Sequence, residues 1–278
     1  MLANQTCVYC ATKLIDRRFT KEHVIGRHFV PKGALNGEWN LIVRACSACN
    51  NAKSDLEDDI SAITLQPDAW GQHPIDHPIR DLEARRKAKG SNSRRTNKAV
   101  SQSEEHIDFE LPFGPGVKAS VSFVSPPQLD EDRVYQLCFL HSRAFFYWIT
   151  YDETSRRGHI WPGGFFPVRY SMRSDWGNPI HKAFMDTVFA WELRVQGSGA
   201  REHFRVAIRK HPSAHCWSWA YEWNANARIV GFFGEQAAAQ GIVDTLPLPK
   251  KTIFRDGRKI IRYWEEKPLL PDEDTLFS

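Results

Sequence analysis

No stretch of about 18 uncharged apolar residues occurs in the 278-residue chain, so no segment reads as a transmembrane helix. The start, Met1-Leu2-Ala3-Asn4-Gln5-Thr6, lacks the basic-then-apolar order of a secretory signal. A soluble, cytoplasmic protein with no membrane partner is therefore expected. The charge is modest as well: a net +4 and a pI near 8.7 fall far short of a polycation, so bulk charge points only weakly to nucleic acid. No internal repeat is visible. Cysteine is scarce after residue 50, where only Cys138 and Cys216 lie, against four grouped as two Cys-x-x-Cys pairs before it. A reducing compartment disfavours three disulfides, and the pairing favours metal.

An apolar content of 42% with 12% aromatics marks a folded chain, and its length suggests two domains. Residues 1–65 hold the paired cysteines and a single tryptophan, Trp39; the other nine lie from Trp70 onward. Residues 66–103 read as a basic linker, since between Ile79 and Gln102 Arg80, Arg85, Arg86, Lys87, Lys89, Arg94, Arg95 and Lys98 occur with almost no large apolar side chains. Such a segment serves either as a solvated tether or as a basic arm that neutralises phosphates. Residues 104–278 form the second domain. Its aromatic and β-branched runs VYQLCFL, AFFYWIT, FFPVRY, HFRVAIRK, RIVGFF and KIIRYW read as strands. Helices are expected at His181–Phe189, after Pro179, and at Gly234–Gln240. The whole is an α+β protein with a strand-rich C-terminal domain.

Chemistry concentrates in the first domain. Cys7-Val8-Tyr9-Cys10 and Cys46-Ser47-Ala48-Cys49 have the spacing by which each pair chelates one ion, and four thiolates suit tetrahedral Zn²⁺. The ion would close a long loop in a unit too small for a large core. Inside that loop Glu22 directly precedes His23. Adjacent strand residues point to opposite sides, but a distorted strand end can turn both toward one site. Asn40 follows, then the strand-like Leu41-Ile42-Val43. The second pair opens into a helix in which Ala52, Leu56, Ile60 and Ile63 form an apolar stripe, and Asn50 and Lys53 share another face.

The order Cys-x-x-Cys, Glu-His, Asn, Cys-x-x-Cys-Asn-x-x-Lys over residues 5–60 resembles the HNH nuclease family, whose fold is a ββα-metal unit. The resemblance implies a DNA endonuclease in which His23 is the general base. Glu22 and Asn50 would be ligands of a catalytic divalent ion, and Asn40 would hold the loop that carries the base. Cys7, Cys10, Cys46 and Cys49 would bind the structural zinc of the four-cysteine branch. Two positions depart from the family pattern: Gly26 stands where proline is common, and Asn50 stands where the name has its final His.

The physical chemistry agrees with those roles. Imidazole deprotonates water near neutral pH, while carboxylate and amide oxygens with water suit Mg²⁺ or Mn²⁺ beside a scissile phosphate. Arg27, Arg44 and Lys53 are the candidates for phosphate contact. One such unit cuts one strand per event, so double-strand cleavage would need a homodimer or two encounters. Restriction or antiviral defence is a setting suggested by analogy.

Other features read more plainly. Cys138 is a small buried hydrophobe. His211-Pro212-Ser213-Ala214-His215-Cys216 lacks the carboxylate or further cysteine of a metal site. Trp217, Trp219 and Trp223 are first a packed strand face, and second a surface that stacks on bases with help from Arg156, Arg157 or Arg169. Two rivals to the nuclease stand beside it: a zinc module that binds nucleic acid without cutting, and a nuclease effector controlled by a regulatory protein partner.

Overall fold

The structure is a computed structural model and describes residues 1–14, 19–67, 71–73, 78–248, 252–256, 259–263 and 265–278. The first elements follow the expected order. β1 (Thr20–His23) and β2 (Ile42–Ala45) pair antiparallel, and α1 (Ser47–Thr64) follows directly. α1 has neither Gly nor Pro and buries Leu56, Ile60 and Ile63 along one stripe. Ala52, expected to begin that stripe, is exposed, and Lys53 is buried beside it.

The segment expected to be a linker is folded instead. α2 (Pro78–Gly90) and a short 3₁₀ turn at Val100–Gln102 pack against α1. Two of its cations are buried: Arg80 donates to the Asn224 carbonyl, and Lys87 donates to the His28 carbonyl and Ser61 Oγ. Four more are ion-paired, Arg85 with Asp81, Arg86 with Glu83, Arg94 with Asp55 and Arg95 with Glu105. A segment that folds as a helix against α1, with six of its eight cations buried or ion-paired, is not an extended tether; Lys89 and Lys98 remain exposed. Residues 68–70 and 74–77 of that stretch lie outside the described residues.

Beyond a two-stranded hairpin, β3 (Glu105–Gly114) with β4 (Val117–Ser125), comes α3 (Glu131–Ile149). The runs VYQLCFL and AFFYWIT, read as two strands, form this one helix. Asp130 caps it by accepting from Asp132 N at 2.9 Å, and Glu131 and Asp132 complement the helix dipole. Val134, Leu137, Cys138, His141 and Phe145 follow at intervals of three and four and are buried.

The next five strands are β5 (Gly164–Met172), β6 (Glu192–Gly199), β7 (Phe204–Lys210), β8 (Cys216–Trp223) and β9 (Ala227–Gly234). They make an antiparallel sheet in the order β5-β9-β8-β7-β6. Period-two alternation gives it two buried faces. Trp219, Tyr221, Trp223, Ile229 and Phe233 join the core that contains α3. Cys216, Ala220, Val230 and Phe232 join a second core with Phe184, Met185 and Val188 of α4 (Pro179–Val188). The tryptophans of β8 are thus core rather than a base-stacking surface. α5 (Gln236–Val243) and the hairpin of β10 (Thr252–Asp256) and β11 (Lys259–Tyr263) complete an α+β fold. Among the described residues no helix is long and apolar enough to cross a membrane.

The expected boundary between residues 65 and 104 is no gap in packing. One core runs from Cys7 and Val8 through Phe29 and Ile60 to Phe145 and Trp223. Phe29 meets Trp223 edge-on at 5.4 Å between centroids. Asn224 Nδ2 donates to Thr64 Oγ1 at 2.8 Å, and Arg133 of α3 pairs with Asp55 and Asp59 of α1 at 3.0 and 2.8 Å.

Candidate active site and metal centre

The two Cys-x-x-Cys turns converge. The first is closed by Cys7 N donating to the Thr12 carbonyl at 2.8 Å, with Ala11 in the left-handed region at φ 59°. The second lies at the start of α1, where Cys46 is the N-cap and Cys49 follows in the first turn. The four Sγ atoms lie within 4.8 Å of one another, and Cys10 and Cys46 are 3.8 Å apart. A tetrahedral ion with metal–sulfur bonds of about 2.3 Å requires a separation of about 3.8 Å, so the four residues fit a metal ion. Cys46 N points at Cys7 Sγ at 3.4 Å, a further hydrogen bond that stabilises a thiolate. None of the six cysteines forms a disulfide, and Cys138 and Cys216, like Cys7, are buried.

Glu22 and His23 face opposite ways. Along β1 Lys21 is exposed, Glu22 buried and His23 half-buried; opposite them on β2, Arg44 pairs with Lys21 and Ile42 with His23. Lys21, His23 and Arg44 therefore share the outer face. Lys21 escaped the sequence reading, although its two-residue spacing from His23 on a strand is the signal that finds it.

On the inner face Glu22 accepts from the Tyr9 hydroxyl at 3.1 Å and pairs with Lys53 at 2.9 Å. Lys53, 1% exposed, also pairs with Glu57 at 2.6 Å and donates to the His23 carbonyl at 3.3 Å. Burial works to lower the Lys53 pKa, but the Glu57 and Glu22 carboxylates outweigh it and hold the amine charged. Burial pushes Glu57 up despite Lys53. This arrangement corrects one expectation outright: Lys53 is enclosed and cannot meet a phosphate. The expectation of Glu22 and Asn50 as joint ligands of a hard cation gains no support from these contacts. Glu22 is committed beneath the sheet, whereas Asn50 is half-exposed in the first turn of α1.

Asn40 grips the turn after His23. Its Oδ1 accepts from Ile25 N at 3.2 Å and its Nδ2 donates to the Ile25 carbonyl at 2.7 Å. Glu57 Oε1 accepts from Gly26 N at 3.2 Å. A Cβ on Gly26 would lie 2.3 Å from Glu57 Oε2, which accounts for glycine at a place where proline would lose the N–H and crowd the carboxylate. Three side chains, Asn40, Lys53 and Glu57, thus clamp the main chain from His23 to Gly26.

The electrostatics of the outer face suit a base beside an anion. Burial lowers the His23 pKa below 6.5, and Arg27 and Lys21 lower it further, so the imidazole is neutral at pH 7. Arg27 and Lys21 are exposed and form no ion pair with any described residue. Arg44 is half-buried and lies over the Phe19 ring at 4.5 Å. No family model, no curated protein and no solved structure matches this chain.

Proposed function

We propose that this protein is an endonuclease that hydrolyses phosphodiester bonds of DNA, with His23 as general base and a zinc ion held by Cys7, Cys10, Cys46 and Cys49. The observation that carries the reading is the half-buried His23 on the outer face of β1, beside Lys21 on the same strand face, with burial and the exposed cations Arg27 and Lys21 all lowering its pKa. Resemblance to the HNH family adds to it. His23 takes a proton from the attacking water. Lys21 and Arg27 hold the phosphate and offset its growing negative charge. The clamp of Asn40, Lys53 and Glu57 keeps the imidazole aimed, and the zinc ties the Cys7 turn to the start of α1.

A second reading is favoured by the Glu22–Lys53 pair, which leaves Glu22 engaged: a zinc module that binds nucleic acid without cutting it. Supercoiled plasmid incubated with Mg²⁺ or Mn²⁺ separates the two. Nicking that falls by roughly 10²-fold or more in His23→Ala, with zinc content unchanged, supports the nuclease. Equal activity of both proteins removes His23 from the chemistry, and an intact plasmid with both favours the binding module.

A further inference from the structure

We propose that Trp39 and Trp148 form a stacking site for an unpaired nucleobase beside the candidate active site; this rests on the nucleic-acid reading above. Trp39 lies in the loop before β2 and Trp148 at the end of α3, and their ring centroids are 5.4 Å apart at 42°. Trp39 is 52% exposed and Trp148 37%. Among the described residues they are the one aromatic pair in which both rings are exposed.

Leaving two indoles in water is unfavourable unless something covers them. The pair is too small for a protein partner. Two tryptophans offer at most about 500 Å², against about 800 Å² per side in a stable protein interface. A base has a flat π-face of the right size and stacks on indole whatever its sequence.

The position also fits. Asn40, next to Trp39, is bonded to Ile25, and His23 pairs with Ile42, three residues after Trp39. Chain geometry therefore places the Trp39 and His23 Cα atoms within roughly 16 Å of each other. A strand whose phosphate lies at Lys21 and Arg27 can put a neighbouring base on the indoles. The expected ligand is single-stranded or locally opened nucleic acid, held by stacking on one side of the cut and by charge at it.

Fluorescence anisotropy of a labelled thymidine oligonucleotide tests this, using the full zinc-loaded chain with no Mg²⁺ or Mn²⁺ added. Trp39→Ala and Trp148→Ala should each weaken binding about tenfold, while Trp39→Phe keeps most of the affinity and Trp39→Leu, apolar without a π-face, does not. Duplex affinity should change less, whereas Lys21→Ala should weaken both. Unchanged oligonucleotide affinity in Trp39→Ala and Trp148→Ala, with the unaltered protein binding DNA, overturns the stacking site alone. An unaltered protein that binds neither single strand nor duplex overturns the nucleic-acid reading and the stacking site with it.

Discussion

Glu57 reaches across from α1 to the turn after His23 and accepts a hydrogen bond from Gly26 N at 3.2 Å, with its other oxygen where a Cβ on Gly26 would go. The two positions are therefore coupled. Gly26→Ala should destabilise the protein by about 1–3 kcal/mol through overpacking. In a Glu57→Ala background the same change should cost much less, because the obstructing carboxylate is gone. A double-mutant cycle read from denaturant midpoints should show a coupling of about 0.5–3 kcal/mol. Strict additivity would mean that the two residues do not touch in solution.

Among the described residues Lys53 is the one cation paired with both Glu22, which is buried, and Glu57, which is partly buried. Lys53→Met keeps the length of the side chain but strands both carboxylates, and a loss of about 3–5 kcal/mol is expected. With the amine gone, burial raises the Glu57 pKa unopposed by Lys53, so the loss should shrink as the pH falls from 8 toward 5. The pH dependence of the difference in unfolding free energy between variant and unaltered protein measures this. A difference independent of pH would show that removing Lys53 does not change the protonation of Glu57 over that range.

The local signals in the sequence were the legible ones. The Cys-x-x-Cys spacing, the helix after Cys49 and the alternating strands β5, β7, β8 and β9 all depend on neighbours in the chain, and each is found where it was read. α3 stands where two strands are expected because aromatic residues are common in strands, while its Asp130 cap and three-and-four periodicity are the helical signal. α2 departs from the expected linker for a different reason. The partners that neutralise or bury its charges, Asn224 for Arg80 and His28 for Lys87, are 144 and 59 residues away and invisible to a local reading. The site shows the same limit: His23 and Asn40 could be named from the sequence, but the 31-residue reach from Lys53 to Glu22 could not.

Metal removal should unfold more than the cysteine loop. Cys7, Val8 and Tyr9 belong to the same core as α3 and β8, so loosening the first turn exposes that core. The purified protein should carry one zinc per chain. A strong chelator, or Cys49→Ser, should lower the midpoint of a single cooperative thermal transition. A transition unmoved by complete loss of metal would show that the four thiols are dispensable to the fold.

If His23 is the base, activity should fall at low pH with an apparent pKa below 6.5, since the base works only when neutral and its pKa is lowered by burial, then by Arg27 and Lys21. Arg27→Gln removes one of those cations and should move the acid limb of the kcat/KM profile upward. The shift is in the opposite sense to loss of a neighbouring carboxylate. A lower kcat/KM with an unshifted limb would confine Arg27 to binding phosphate.

His141 supplies a separate pH dependence, of stability rather than activity. It is fully buried among Phe29, Phe204, Tyr221 and Trp223, and neither ring nitrogen has a hydrogen-bond partner of normal geometry. Burial first, then nearby Lys53, holds its pKa well below 6.5, with the Val24 main chain opposing them. In the unfolded chain the ring titrates near 6.5. The folded state therefore binds fewer protons below that value. The stability from His141 is complete above about pH 6.5 and is lost as the pH falls, by up to about 1.4 kcal/mol per unit. His181, also buried with its pKa lowered by burial and by Arg228, adds to the slope. Unfolding free energies between pH 7.5 and 5 should fall less steeply in His141→Leu than in the unaltered protein. Equal slopes would show that His141 gains a proton or a polar partner without unfolding, and that the core around Trp223 admits water.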